Sequence, residues 1–173
     1  SISDGTFDGS VENYGKITGG TFNGGVTNTG NGSISGATVV ASVSTDTEFL
    51  AALEKPYVTT IKQTKHIMVE AMENVEGLTI DRAITLVNGS RASLQLYLPL
   101  TIAKDGALTL DGLEGVVDLN PYNGMVVNGS LTVGANCGVI FGGENASLVI
   151  NAGGTVTTQP AGENTTPGQL SLE

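Results

Sequence analysis

The sequence predicts an all-β fold, a right-handed parallel β-helix solenoid with one short α-helix, and three observations lead there. First, one strand phrase keeps returning: Leu78-Thr79-Ile80, Leu100-Thr101-Ile102, Leu108-Thr109-Leu110, Leu131-Thr132-Val133 and Leu148-Val149-Ile150. Its outer residues are aliphatic and its middle one is usually threonine, a period of two that sends alternate side chains to opposite faces of a strand. Second, the returns are spaced like a stacked unit, from Leu78 to Leu100, from Leu108 to Leu131 and, in a shorter step, from Leu131 to Leu148. Self-similarity at about twenty residues is the sequence signature of a solenoid. Third, 25 of the 173 residues are glycine and only five are proline. The glycines keep no strict triplet, which favours short strands closed by tight turns over a triple helix. A β-sandwich is the alternative, favoured if the phrases alternate in direction along the chain.

Residues 1–43 carry a finer repeat. Ile2-Ser3-Asp4-Gly5-Thr6-Phe7 returns as Ile17-Thr18-Gly19-Gly20-Thr21-Phe22 and as Ile34-Ser35-Gly36-Ala37-Thr38-Val39, a shorter period than that of the later phrases. Val11-Glu12-Asn13 likewise matches Val26-Thr27-Asn28. Each unit offers separated apolar points such as Phe22, Val26 and Ile34, which suit a narrow three-sided coil with glycine at its corners. Stacking would line up Thr6, Thr21 and Thr38 outward, and place Asn13 over Asn28 in a turn.

Residues 44–157 form the wider part. Thr45 followed by Glu48 fits a capping box, with Asp46 and Glu48 favouring a helix N-terminus. Phe49, Leu50 and Leu53 share a helical face and Pro56 stops the run, predicting a helix over residues 46–55. Strands then resume over residues 58–62, 67–71, 78–80, 84–87, 94–98, 116–119, 125–127, 138–141 and 155–157. Turn formers separate many of them, among them Asp105-Gly106, Asp111-Gly112, Asn123-Gly124, Asn128-Gly129 and Gly142-Gly143. Residues 158–173 form a C-terminal tail or a last partial coil, in which Gln169-Leu170-Ser171-Leu172 supplies a final strand.

Charge excludes some partners. The net charge is −10, and its placement is uneven. Residues 1–54 hold Lys16 against six acids, residues 55–104 hold the other six bases against four acids, and seven acids follow Lys104 with no base. Nucleic acid is not expected, because nothing supplies a large phosphate-neutralising surface. No apolar run approaches the roughly 20 residues that span a bilayer, so no direct membrane insertion is expected. Cys137 is the only cysteine and forms no internal disulfide. The opening at Ser1-Ile2-Ser3-Asp4-Gly5 falls in mid-pattern, as in a piece of a longer chain.

Several stretches carry a resemblance. Val43-Ser44-Thr45-Asp46-Thr47-Glu48-Phe49-Leu50-Ala51-Ala52-Leu53, then Val58-Thr59-Thr60-Ile61, then Leu78-Thr79-Ile80-Asp81-Arg82-Ala83-Ile84-Thr85-Leu86 is similar to the start of pectate-lyase-like parallel β-helix domains of large bacterial surface proteins. The Gly-Thr-Phe units resemble repeats of surface proteins from gut-type Gram-positive bacteria. The resemblance covers most of residues 1–157 and marks a fold more than a function. It implies an extracellular or cell-surface, bacterial location. For an enzyme of this type it also implies either a calcium-binding acidic cluster with a catalytic arginine, or close carboxylates including an Asp-Asp pair.

The residues offer little of that chemistry. No Asp-Asp or Asp-Glu pair occurs. Asp105, Asp111, Glu114 and Asp118 are the densest acids and could flank one groove as an acid/base pair, but they sit at Gly- and Asn-rich turns, where solvated corners are the plainer reading. Asp118-Leu119-Asn120 hints at a calcium loop, yet Gly129 stands where a closing glutamate belongs. His66 and Cys137 lack companions for zinc or for nucleophilic catalysis. No cofactor and no metal are expected, and no catalytic residue is assigned.

A basic belt is the one binding constellation. Lys62, Arg82 and Lys104 follow one another at about twenty residues, close to one coil, so stacking could align them, with Lys65, His66, Arg91 and Tyr97 nearby. That strip could hold an anionic glycan or a neighbouring acidic domain. Asn88, Asn128, Asn145 and Asn164 open Asn-x-Ser/Thr sequences that read as turns in a bacterial protein. The function expected is a non-catalytic structural or adhesive module, with neighbouring domains of a larger surface protein or a glycan as partners and end-to-end self-association at open coil ends. The alternatives are a polysaccharide lyase or glycoside hydrolase-like enzyme and a carbohydrate-binding module. No tryptophan and only four tyrosines weigh against the last, since sugars commonly stack on aromatic rings.

Overall fold

The computed structural model describes residues 1–71, 75–89, 92–112, 117–163 and 165–172. The chain coils as a parallel β-solenoid. Its narrow part runs β1 (Thr6–Phe7), β2 (Val11–Asn13), β3 (Lys16–Ile17), β4 (Thr21–Phe22), β5 (Val26–Asn28) and β6 (Ser33–Ile34). Then come β7 (Thr38–Val43), α1 (Asp46–Glu54) and β8 (Thr60–Gln63). The wide part continues with β9 (Ile67–Val69), β10 (Leu78–Ile80), β11 (Ala83–Asn88), β12 (Ala92–Leu96), β13 (Leu100–Ile102), β14 (Ala107–Asp111) and β15 (Val117–Pro121). It closes with β16 (Met125–Val127), β17 (Ser130–Val133), β18 (Cys137–Phe141), β19 (Leu148–Ile150), β20 (Thr155–Thr158) and β21 (Gln169–Leu172).

The strands stack into long ladders. One eight-stranded sheet runs β1-β4-β7-β8-β11-β14-β17-β20, and at about 4.8 Å per strand it is roughly 34 Å long. The other walls of the wide coil are β10-β13-β16-β19 and β21-β18-β15-β12-β9, while β2-β5 and β3-β6 complete the narrow one. Every pairing among the described residues is parallel, so strands of alternating direction, and with them the sandwich, are ruled out.

The expected registers hold in most places. Leu78 pairs with Leu100 and Leu108 with Leu131, as the phrase spacing implies. Thr6, Thr21 and Thr38 stack, and Asn13 lies over Asn28. The last phrase departs: Leu131 pairs with Val156, and Leu148 pairs with Met125 on another sheet. Thr60, Thr85, Thr109, Thr132 and Thr157 succeed one another in a single column at nearly even steps. A coil of that perimeter passes three strands, so the shorter return from Leu131 to Leu148 meets a different wall.

The core is the inward column of each ladder. Ile61, Ile67, Leu94, Ile102, Leu110, Leu119 and Leu131 are among its fully buried side chains. Helix α1 sits where the narrow coil gives way to the wide one. Thr45 Oγ1 accepts the Glu48 N–H at 3.2 Å, and the Glu48 carboxylate accepts the Ser44 N–H at 2.7 Å and its hydroxyl at 2.9 Å. The Ser44 bonds hold Glu48 below the ordinary carboxylate value. The return bond thus comes one residue earlier than a standard capping box. Phe49 and Ala52 are buried, and Leu50 and Leu53 are half-buried against the core. Phe49 and Leu53 line a small apolar void with Ile61, Ile80 and Leu86, so the helix plugs the wide coil where the narrow one no longer covers it.

Candidate functional site: a trench on the outer face of one sheet

Strand alternation sets the site. On β15, Val117, Leu119 and Pro121 point inward, which leaves Asp118 and Asn120 on the outer face. The next strand in the sheet, β18, presents Gly138 and Ile140 outward, and β21 beyond it presents Gln169 and Ser171. The middle row is therefore low and its neighbours are tall. The result is a trench of about 260 Å³ lined by Asp118, Asn136, Gly138, Ile140, Thr166, Gln169 and Ser171.

Gly138 is what opens the floor. A Cβ there would come within 2.9 Å of Asp118 Oδ1, so the carboxylate occupies the space above it. Glycine inside a strand commonly marks such a close approach. Burial raises the Asp118 carboxyl above its ordinary value, and among the described residues it has no hydrogen-bond or ion-pair partner. Asn120, two positions along, has its Oδ1 buried with no partner among the described residues.

Asn136 closes one end. It is the only described non-glycine residue at positive φ, 60°, a conformation asparagine tolerates better than most residues. Its Oδ1 accepts the Thr166 N–H at 2.8 Å, and its own N–H donates to the Thr166 carbonyl at 2.9 Å. These two bonds staple the segment before β21 to the corner before β18. Cys137, next in line, is buried, and desolvation pushes its thiol up to about 11. Such a thiol is an inert core group.

The same sheet carries other outward groups. Tyr97 and Tyr122 stack with ring centroids 4.7 Å apart and planes 5° from parallel, and Asn123 Nδ2 donates to the Tyr97 carbonyl at 2.5 Å. Ser93 Oγ lies 2.7 Å from His66 Nδ1. A serine against an imidazole is half of a nucleophilic arrangement. Asp118, however, pairs with Ser93 in register on the side away from β9, so it does not orient the imidazole.

The described basic residues fall elsewhere. Lys62 pairs with Ser42 and Val87 in the middle of the long sheet. Arg82 precedes β11, and Lys104 is exposed in a turn three residues before β14. The register that stacks Ala83 on Ala107 therefore puts the three cations in different columns. Coils on this sheet advance from Thr60 to Thr85 to Thr109, longer steps than those that separate the three. Arg82 turns inward instead: its guanidinium donates to the carbonyls of Ala52, Leu53, Lys55 and Val58 at 2.8–3.4 Å, and pairs with Asp81 at 3.3 Å. It caps the C-terminus of α1, where a cation complements the helix dipole. Lys65 and His66 are exposed at the corner before β9, and Tyr97 is half-buried. Arg91 and Glu114 lie outside the described residues.

Other expectations can be placed too. Asp105 is exposed in a turn, and Asp111, at the end of β14, lines a different hollow from the one that holds Asp118. Among the described residues no group of three His, Cys, Asp or Glu side chains is placed to hold a metal ion. Asn88 is fully buried and donates to the Ala92 carbonyl, which closes that sequon to any modification of the folded chain. Asn128 accepts from Asn151 Nδ2 at 2.7 Å, Asn145 is exposed, and Asn164 lies outside the described residues. Sequence reasoning placed Asn120 in a candidate calcium loop and Gln169 and Ser171 in a last strand, but did not join them to one site, and it passed over Asn136. The signal was present in the polar alternation of Asp118-Leu119-Asn120 next to a strand containing Gly138. No helix among the described residues is long and apolar enough to cross a membrane. No family model matches the chain, and neither the curated proteins nor the solved structures contain a match to it.

Proposed function

We propose that the chain is a non-catalytic structural and adhesive module, a stiff coil that holds its outward faces in fixed register for a partner. The observation that carries this is the unbroken eight-stranded ladder, which runs from β1 to β20 across the change of coil width. Each coil is tied to its neighbours by backbone bonds and a shared core, so the outer side chains form fixed columns. Such a scaffold suits spacing and display. The resemblance to pectate-lyase-like coils of bacterial surface proteins supports an outer location on or beyond the cell, and neighbouring domains of one long protein are natural partners.

Beads coated with the intact chain test the proposal against immobilised polysaccharides under flow. Retention above that of uncoated beads is expected, with no soluble sugar released from the polysaccharide. Release of reducing ends or unsaturated uronates would overturn the non-catalytic reading in favour of a lyase or hydrolase. Retention equal to uncoated beads on every surface would overturn the adhesive one.

A further inference from the structure

We propose that the trench over β18 binds a short neutral oligosaccharide, lying along the strand, with the Asp118 carboxylate as the acceptor of its hydroxyls. The inference deepens the adhesive half of the reading above and rests on it.

The lining decides the ligand class. One wall offers the carboxylate of Asp118, and the other the Gln169 amide and the Ser171 hydroxyl, with Ile140 on the floor between them. Donors and acceptors thus alternate around a single apolar patch. A sugar ring meets that pattern: its hydroxyls both donate and accept, and its C–H face can cover Ile140. A half-buried carboxylate with no partner among the described residues is poised for hydroxyl donors, since a charged acceptor makes the stronger kind of hydrogen bond. Among the described residues no Lys, Arg or His lines the trench, so a uronate or sulfated sugar would meet Asp118 with no counter-charge from that lining. A peptide strand would instead pair with backbone groups at a sheet edge rather than with side chains on this face.

The shape sets the orientation. Gly138 and Gly142 bracket the outer face of β18, about 13 Å apart at the rise of an extended strand. Beside this line β15 runs from Asp118 through Asn120 and leads into Tyr122. The register that pairs Asp118 with Gly138 and Leu119 with Val139, carried onward, makes Gly142 the counterpart of Tyr122, so no side chain on β18 rises to cover that ring. A ligand laid along β18 would touch Asp118 first, pass Ile140 with Asn120 alongside, and reach toward the tyrosine pair. A half-buried tyrosine joins an apolar ring to a polar tip, and such amphipathic rings suit a sugar face.

Titration of the intact chain with methyl β-glucoside, methyl α-mannoside, methyl β-galactoside and the matching disaccharides, followed by amide NMR, tests this. Galacturonate serves as the charged arm. At least one neutral probe is expected to give saturable shifts at Gly138, Ile140 and Gln169, with the disaccharide tighter than the monosaccharide. Asp118→Ala is expected to weaken that probe by about tenfold or more, as for loss of a hydrogen bond to a charged group. Gln169→Ala, an exposed change on the edge strand, should weaken it less and leave the fold intact. Saturable shifts away from the trench and indifferent to both variants would overturn the site while leaving the adhesive reading standing. Preference for galacturonate would overturn the neutral class. Beads that adhere while no probe binds would overturn the sugar assignment alone, and beads that fail to adhere would count against the module's adhesive role separately.

Discussion

In the narrow coils, strands are two or three residues long and the main ladder repeats from Thr6 to Thr21 to Thr38. In the wide coils, strands run from three to six residues and the same sheet makes a longer circuit, from Thr60 to Thr85 to Thr109. Perimeter governs what each can bury. A wide coil turns two or more aliphatic side chains inward on many of its strands. The narrow one has room for Ile17, Phe22 and Val26, with the Phe7 ring stacked 4.8 Å from Phe22. It fills its third corner with a polar group: buried Asn13 donates to Asn28 Oδ1 at 2.7 Å and to the Ser33 carbonyl at 3.2 Å. Thin coils also bring corners together, and a Cβ at Gly24 would run into the backbone of Asp8 and Gly9. A narrow solenoid therefore leans on hydrogen-bonded ladders and glycine, a wide one on apolar volume.

The difference can be broken at the core first. Leu110→Ala in the wide coil removes a side chain with no exposure and should cost about 3 kcal/mol through lost burial and a residual cavity. Val26→Ala in the narrow coil should cost about 1 kcal/mol, since fewer methyl groups leave a smaller core. Urea midpoints of the two variants check this, and equal losses would refute a division of labour by coil width.

The junction comes next. Arg82→Met keeps the aliphatic stem and removes the donors to four carbonyls, with an expected loss of about 2 kcal/mol. Hydrogen exchange should show α1 losing protection before β14 and β17. Uniform loss of protection along the chain would mean that the two regions unfold as one and that Arg82 is no local clamp.

The smallest effect concerns Asp118. Its carboxyl is raised by burial above the ordinary 3.8, so between that value and the raised one the folded chain holds more protons than the unfolded chain. Stability from this group is then full below the ordinary value and falls as pH rises through the raised one. Asp118→Asn should therefore raise the melting temperature slightly at pH 7 and have no such benefit below pH 3.8. A melting temperature that falls at pH 7 would mean that the carboxylate has a folded-state partner.

Much of the fold is written in local sequence. The Leu-Thr-Ile phrases, the Asn13–Asn28 ladder and the Thr45 cap all rest on neighbours in the chain or on a short repeat, and each was found where its residues implied. The third wall was harder. Leu131 and Leu148 share a phrase yet occupy different sheets, because a phrase records alternation and not which side of the coil a strand lies on. The basic belt failed to align for a related reason: side-chain columns follow the lengths of corners, and the corner from β10 to β11, which holds Arg82, is two residues shorter than the stacked corner from β13 to β14, which holds Lys104.

The trench shows the same limit most clearly. Residue order was enough for a parallel coil, its inward and outward faces, and the place of its one described helix, because strand period and capping act over a few residues. That Asp118, Gly138 and Gln169 stand side by side follows from the closed coil alone. They come from three separate strands, brought together by the pairing of β15 with β18 and of β18 with β21. Their meeting depends on how two unequal corner loops close, one of them stapled by Asn136 in a left-handed conformation.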